Sequence, residues 1–246
     1  MKKEKEIEFT GHLKELRRRF AFSLVYFVLM LIISFCFASL IVDFIKTTSS
    51  GMKIDLNIFN VTDSLYLYMR VSTLSAMILS MPFFLWQIWR FIIPGLEKNE
   101  IRFVRRYLPI VFLLFLAGTA FAYFVIIPYY VMFSTTLAQT SGLASVIGAK
   151  EYIDFIVKTV WPFGLAFEMP MLIHILSVIG IVNHRLLTAV RGYAYVGLMI
   201  ISAFLTPPDP VSMGIMLVPL SILFESSVWI ARKNERKRQL KISTSN

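Results

Sequence analysis

The stretch "YLPIVFLLFLAGTAFAYFVIIPYYVMF", residues 107–133, decides the fold of this 246-residue chain. No Asp, Glu, Lys or Arg occurs between Tyr107 and Ala149. A hydrocarbon core of about 30 Å needs about 20 consecutive apolar residues, so the stretch is long enough to cross a bilayer. Because backbone groups in lipid must satisfy their own hydrogen bonds, we expect a transmembrane helix.

The rest of the chain shares this apolar character. Hydrophobic residues make up 57% of it and charged residues 16%, against roughly 25% charged residues in soluble domains. We therefore predict an all-α membrane protein with six transmembrane helices, folded as a single integral membrane domain over residues 1–246. A basic, mobile tail is expected at 232–246. The predicted spans are 20–42, 71–89, 107–133, 159–182, 193–205 and 211–231.

The fifth predicted span is unusually short. At 1.5 Å per residue, 193–205 covers roughly 20 Å of a hydrocarbon core of about 30 Å. The turn "TPPDP" at 206–210 leaves few residues before the sixth span. We expect both helices to be short and to form a tight hairpin, with the bilayer thinned around it.

Lysine and arginine are distributed unevenly between the two sides of these spans. Twenty of the 25 fall on the side that carries both termini. The positive-inside rule predicts that this side is cytoplasmic. The net charge of +10 is therefore attributed to helix orientation and anionic lipid rather than to nucleic acid.

Enzyme and metal motifs are not found in the sequence. The chain has one cysteine, Cys36, so it can form neither an internal disulfide nor a cysteine metal cluster. His174 with Ser177 could suggest an intramembrane hydrolase, but one pair on one helix is poor evidence for a nucleophile and its base. We interpret His174 as a packed or interhelical hydrogen-bonded residue. The chain is predicted not to be an enzyme and to need no cofactor or metal.

Carboxylates on the predicted basic face are the first candidate binding groups. Glu15 lies in an amphipathic segment and can pair with Arg18 or Arg19 one turn later. Glu97 and Glu100 fall where a helix restarts after Pro94-Gly95. Glutamates in a first helical turn also simply favour the helix dipole, so both interpretations remain open.

Glu168 is the second candidate, because it lies inside the fourth predicted span. An ionised acid near the middle of a span costs about 3 kcal/mol on insertion scales. We expect it to be protonated, hydrogen-bonded to another helix, or facing water. Pro170 is expected to free a backbone carbonyl there and to kink the helix. A transporter with Glu168 as its proton or cation site is an alternative, although transporters need several polar groups at mid-membrane.

Four stretches together resemble the TatC family, the polytopic subunit of the twin-arginine protein translocase. The resemblance covers the chain from His12 to about Ala231, and the stretches occur in the family's order. They are "HLKELRRRF" (12–20), "WQIWRFIIPGLEKNE" (86–100), "FGLAFEMP" (163–170) and "TPPD" (206–209).

This resemblance implies a concave, glove-like bundle of six helices with both termini in the cytoplasm. It implies recognition of twin-arginine signal peptides on folded cargo, assembly with TatA/TatB-type single-span subunits and other TatC copies, and transport driven by the proton-motive force. With no transit-peptide-like extension before the first span, we expect a prokaryotic plasma membrane.

The family's functional positions can be matched to this chain residue by residue. Glu168 corresponds to the family's buried glutamate, which contacts the small partner subunits or lies in the membrane concavity, and Asp209 to the aspartate of the outer turn. Met213 stands where the family often has a polar residue, so the polar patch around Glu168 is smaller here. The signal-peptide positions are Glu15, Leu16, Arg17, Phe91 and Glu100.

Overall fold

The computed structural model describes the backbone of residues 2–51, 56–92, 98–142, 146–206 and 209–243, and the side chains of 14–49, 56–91, 106–142, 146–206 and 209–236. Nearly all of this backbone is helical. The helices are α1 (Lys2–Cys36), α2 (Ala38–Gly51), α3 (Asp63–Ile92), α4 (Lys98–Phe121), α5 (Ile127–Thr140), α6 (Ala149–Phe167), α7 (Met169–Ile179), α8 (His184–Ala189), α9 (Arg191–Leu205) and α10 (Pro210–Ser243). Two short strands, β1 (Leu56–Asn57) and β2 (Ile147–Gly148), pair with each other.

Within the described ranges, five helical segments are long and apolar enough to cross a membrane. They are Lys14–Cys36, Asp63–Phe91, Arg106–Thr140, Ala149–Ile179 and Pro210–Arg236. A further apolar helix, α9, has 15 residues and spans about 22 Å. The all-α membrane fold with six apolar helices, the fifth of them short, is thus confirmed. The sixth is not short, contrary to the prediction: its segment Pro210–Arg236 has 27 residues, because helix-favouring residues follow its apolar run.

The boundaries of the first and last helices differ from those predicted. The first helix begins well before residue 20 and ends at Cys36, where a turn at Phe37 separates it from α2. The last continues through 232–243, part of the stretch predicted as a tail. This segment contains no Gly or Pro and is rich in Arg, Lys, Glu and Gln, which all favour a helix.

The chain packs as two compact units, residues 1–112 with 148–153 and residues 113–147 with 154–246. In the first unit α1 packs along α3. Tyr26 stacks on Phe83 with ring centroids 4.3 Å apart, and the small residues Ser72 and Ala76 of α3 are fully buried. Most apolar side chains of α1 remain exposed, as expected for a helix whose remaining surface faces lipid.

In the second unit α4 and α6 cross at two glycines. A Cβ on Gly118 would lie 2.8 Å from the carbonyl oxygen of Phe163 and 2.8 Å from the side chain of Phe167. A Cβ on Gly164 would lie 2.7 Å from the ring of Phe115. Only glycine allows the two backbones this close, as in the small-residue interfaces of membrane helices.

A π-turn interrupts the third span at Ala122–Ile126, between α4 and α5. Pro128 follows at the start of α5 and cannot donate a backbone hydrogen bond to the preceding turn. A wider turn before a proline accommodates this missing donor without ending the helix.

Candidate functional site

Glu15 lies where the apolar part of α1 begins, and its carboxylate binds Arg19 one turn later. The Nε of Arg19 donates to Oε1 of Glu15 over 3.1 Å, and its Nη2 contacts the same oxygen. The Arg19 side chain is 16% exposed and that of Glu15 is 37% exposed. Glu15 can therefore still be approached from solvent, whereas Arg19 is largely enclosed.

Arg19 also joins two helices. Its Nη1 donates to Oε1 of Gln87 on α3 over 3.4 Å, and Gln87 is itself buried. One guanidinium thus contacts a carboxylate on its own helix and an amide oxygen on the neighbouring helix.

Three further predicted residues lie near these groups along their helices. Leu16 is 45% exposed and Arg17 is exposed. Phe91 is half-buried and lies one helical turn after Gln87, so both fall on one face of α3. The structure thus brings the Glu15 segment to the same end of α3 that carries Phe91.

Two further arginines at this end, Arg18 and Arg90, contact aromatic rings. The guanidinium of Arg18 lies 5.6 Å from the ring centroid of Phe22, and that of Arg90 lies 5.4 Å from Trp86. Cation–π contacts of this kind keep the charge close to an apolar surface. Of the two arginines that the spacing offered to Glu15, Arg19 is the one that binds it.

Glu100 lies in the first turn of α4, which begins at Lys98. This matches the predicted restart of a helix after Pro94-Gly95, although those two residues lie outside the described part of the chain. The side chain of Glu100 also lies outside it.

Glu168 lies at the break between α6 and α7 and is only 3% exposed. Neither of its carboxyl oxygens has a hydrogen-bond partner among the described residues. Its backbone N–H bonds to the carbonyl of Leu165 over 3.1 Å, and Pro170 occupies the first turn of α7. The predicted interruption of the fourth span is therefore present at Glu168 itself.

The surroundings of Glu168 are apolar. Phe167 precedes it and packs against Phe121, with ring centroids 5.5 Å apart, next to the glycine crossing of α4 and α6. A buried polar group without a partner costs about 1–3 kcal/mol. The fold therefore keeps a carboxyl in a place where its burial is unfavourable and where a leucine at position 168 would fill a similar volume.

Asp209 caps the start of α10. Both of its carboxylate oxygens accept from the backbone N–H of Ser212, over 3.1 and 3.2 Å. This is ordinary N-cap geometry, in which an aspartate satisfies an otherwise unpaired N–H of the first turn. The position matches the predicted turn, and the contact stabilises the helix.

Two more carboxylates on α10 bind residues of other helices. Glu225 accepts from Nη2 of Arg191 over 2.6 Å and from the hydroxyl of Tyr195 over 2.7 Å. Glu235 lies 2.6 Å from Nδ1 of His184. These contacts tie α8 and α9 to the last helix.

The neighbouring Asn234 lies 3.0 Å from Nδ1 of His174 on α7. This contact agrees with the interhelical interpretation of His174. Sequence reasoning named neither Asn234 nor Gln87 and did not foresee the partners of Glu225 and Glu235. Partners 30 to 68 residues apart leave no local spacing signal.

Among the residues whose side chains are described, no cluster of three or more His, Cys, Asp or Glu could hold a metal ion. The groups that could bind a cation or a hydrogen-bond donor are instead single carboxylates. Glu15 already accepts a guanidinium, whereas Glu168 accepts no bond from the described chain.

Comparison with known proteins assigns the class. A family model described as "Sec-independent protein translocase protein (TatC)" matches residues 11–219. The TatC protein of Halalkalibacterium halodurans is 36% identical over 236 residues, which cover 96% of this chain and 93% of that protein. TatCy of Bacillus subtilis is 36% identical over 237 residues, with the same coverage.

A solved structure agrees with these relatives. The crystal structure of a twin-arginine translocase receptor, TatC, superimposes with a TM-score of 0.84 at 31% identity, covering 91% of this chain and 99% of that one. The fold and its relatives therefore define a multi-pass membrane component of a protein translocase rather than an enzyme. Within that class, the chain belongs to the TatC family of the twin-arginine translocase.

Proposed function

We propose that this chain is the signal-peptide receptor and core subunit of a twin-arginine translocation system. It recognises paired arginines in the signal peptides of folded proteins at the cytoplasmic face. The binding residues are Glu15, Leu16, Arg17, Phe91 and Glu100. It then assembles with further TatC copies and with TatA/TatB-type single-span subunits, and the proton-motive force drives export.

The observation that carries this proposal is the contact between Glu15 and Arg19. Two nitrogens of one guanidinium converge on Oε1 of a carboxylate that is still 37% exposed. Glu15 is thus held in a geometry that suits an arginine side chain. Phe91, on the neighbouring α3, supplies an apolar surface for the rest of a bound peptide.

Arginine and lysine differ in how well they can use such a site. A guanidinium presents planar paired donors that match a carboxylate, whereas an ammonium is a point charge. Two carboxylates, Glu15 and Glu100, would select for two adjacent arginines. Their basic surroundings would weaken the binding of unrelated cationic peptides.

Glu168 is proposed to contact a single-span partner subunit within the membrane. A partner that offers a hydrogen-bond donor would relieve the cost of the unpartnered carboxyl. At 3% exposure, this contact requires the side chains around Glu168 to move aside. The helix break between α6 and α7 is where such a movement would meet the least resistance, because Pro170 has already removed a backbone hydrogen bond.

The proposed location is a prokaryotic plasma membrane with both termini in the cytoplasm. The support is the excess of lysine and arginine on one side of the spans, which the positive-inside rule assigns to the cytoplasm. Asp209, which caps α10, then lies at the outer face, and the short α9 thins the bilayer around it.

The decisive test is binding of labelled signal peptides to the detergent-purified protein. Arg-Arg and Lys-Lys peptides are titrated against wild type and Glu100→Ala. We expect wild type to prefer the Arg-Arg peptide at least tenfold, since each charge-assisted bond contributes about 1.5–3 kcal/mol. In Glu100→Ala this preference should largely disappear.

Asp43→Ala is the matched control, because Asp43 is exposed on α2 and is predicted to lie on the opposite side of the membrane. It should bind both peptides like wild type. Equal binding of the two peptides by wild type would overturn the proposal. The next experiment would then be a transport assay that compares wild type with Glu168 variants.

A further inference from the structure

The contact that supports Glu15 as a receptor group also occupies it. In the unbound protein Oε1 of Glu15 is already filled by Nε and Nη2 of Arg19. An arriving guanidinium that binds both carboxylate oxygens needs Oε1 as well, so it must displace or share the internal guanidinium. An ordinary i,i+4 ion pair on a helix surface is weak and exposed, but Arg19 is only 16% exposed.

Gln87 provides Arg19 with a second hydrogen-bond acceptor. Its Oε1 accepts from Nη1 of Arg19, whereas Nε and Nη2 make the contacts with Glu15. If Arg19 releases Glu15, this bond can persist, so the displaced charge retains an acceptor at a largely buried position. Without Gln87, an Arg19 guanidinium displaced from Glu15 would have no acceptor among the described side chains to offset the free-energy cost of its burial.

We propose that Arg19 is an internal competitor of the signal peptide for Glu15, and that Gln87 holds Arg19 when the peptide displaces it. This inference rests on the proposed function and adds an autoinhibitory contact to it. Competition of this kind lowers the affinity of every cationic peptide by the same factor. Competition by Arg19 therefore determines how tightly any cationic peptide binds, whereas the carboxylates determine the preference for arginine over lysine.

A positioning role for Arg19 makes the opposite prediction. If Arg19 merely held Glu15 in a productive rotamer, its removal would lower both the affinity and the preference for arginine. The sign of the affinity change therefore separates the two roles.

The test uses the full chain in detergent with the same Arg-Arg and Lys-Lys peptides. Arg19→Met keeps an unbranched side chain and removes the donors. We expect it to bind both peptides about tenfold more tightly, the size of one charge-assisted bond at a part-buried site, with an unchanged ratio between them. Arg19→Lys, which keeps the charge but loses the planar fork, should give an intermediate affinity and covers the case in which Arg19→Met does not fold.

Arg18→Met is the matched control for charge, because Arg18 is adjacent and lies over Phe22. It removes the same unit of positive charge and should change affinity much less. An equal gain in Arg18→Met would show a general electrostatic effect and overturn the inference, as would unchanged or weakened binding in Arg19→Met.

Gln87→Leu completes a double-mutant cycle with Arg19→Met. In the wild-type background it should weaken Arg-Arg peptide binding about threefold, and in the Arg19→Met background it should have no effect. Equal effects in both backgrounds would refute the role of Gln87. If wild type itself fails to bind or to discriminate, the proposed function fails and the inference fails with it; if wild type discriminates, the Arg19 variants decide the inference alone.

Discussion

Among the described side chains, carboxyl groups that pair with a cationic or histidine side chain contrast with Glu168, which lies inside the fourth span. Glu15, Glu225 and Glu235 each bind a cationic or histidine side chain. Glu168 has no hydrogen-bond partner in the described chain although it is far more buried. A fold optimised only for stability would show the reverse, since burial is what makes a partner valuable.

The difference indicates which carboxyl groups serve the fold of a single chain. The paired carboxylates connect helices or turns of the isolated protein, so their effects should appear in its stability. The unpartnered Glu168 weakens that stability, which agrees with the proposed contact between Glu168 and a partner subunit. Three substitutions test this contrast, beginning with the packing that encloses Glu168.

Gly118→Val should have the largest effect. Its side chain would meet the backbone of Phe163 and the ring of Phe167, where even a Cβ comes within 2.8 Å. Because backbone cannot move aside cheaply, we expect a loss of about 3 kcal/mol or more. The thermal unfolding midpoint of the purified protein should fall sharply.

Gly197→Ala is the control for this substitution. A Cβ on Gly197 meets no atom of the described chain within 4 Å, and alanine favours a helix by up to about 1 kcal/mol. It should leave the unfolding midpoint unchanged or slightly raised. A Gly118→Val protein as stable as Gly197→Ala would show that the α4–α6 crossing is looser than described.

Glu168→Leu should raise stability and lower export. Leucine removes two buried oxygens that have no partner, which should increase the unfolding free energy by about 1–2 kcal/mol. Export of a twin-arginine reporter in cells should nevertheless fall, because the proposed contact with a partner subunit would be lost.

Glu168→Gln is the isosteric control and should unfold close to wild type, because it keeps a polar group at the same place. A clear loss of stability in Glu168→Leu would mean that the carboxyl is satisfied within the folded chain. The contrast with the paired carboxylates would then no longer hold.

Glu225→Gln should have the smallest effect. The side chains of Glu225 and Arg191 are 38% and 43% exposed, and exposed ion pairs contribute about 1 kcal/mol or less. The unfolding midpoint should fall slightly, and less so at high salt. A double-mutant cycle with Arg191→Met should give a small coupling energy; a coupling of several kcal/mol would show that the pair is shielded from solvent.

The spans and the position of Glu168 were predictable because hydrophobic length is a local property of the sequence. The uncharged run from Tyr107 to Ala149 predicts a transmembrane span by itself, whatever the other segments of the chain are. The pairing of Glu15 with Arg19 was predictable for a similar reason, since residues four apart on a helix face one another. The short length of α9 was predictable from the small number of apolar residues between the polar segments on either side of it.

The contacts between helices were not predictable. Gln87 stands 68 residues from Arg19, and only packing of α1 on α3 brings them together. The helix α10 extends beyond the span predicted at 211–231, because apolar content defines where a span ends, whereas helix propensity defines where a helix ends. The unpartnered state of Glu168 likewise depends on what surrounds it, and no single stretch of sequence contains that information.

The continuity of α10 has a mechanical consequence. Beyond Pro219, residues 220–243 of this helix make a rod of about 36 Å that extends past the apolar segment without a glycine or proline to bend it. Such a rod acts as a lever: a tilt of about 5° at Pro219 displaces its far end by about 3 Å. A spin label near the C-terminal end of this helix would therefore magnify small rearrangements within the membrane into distances that spectroscopy can measure.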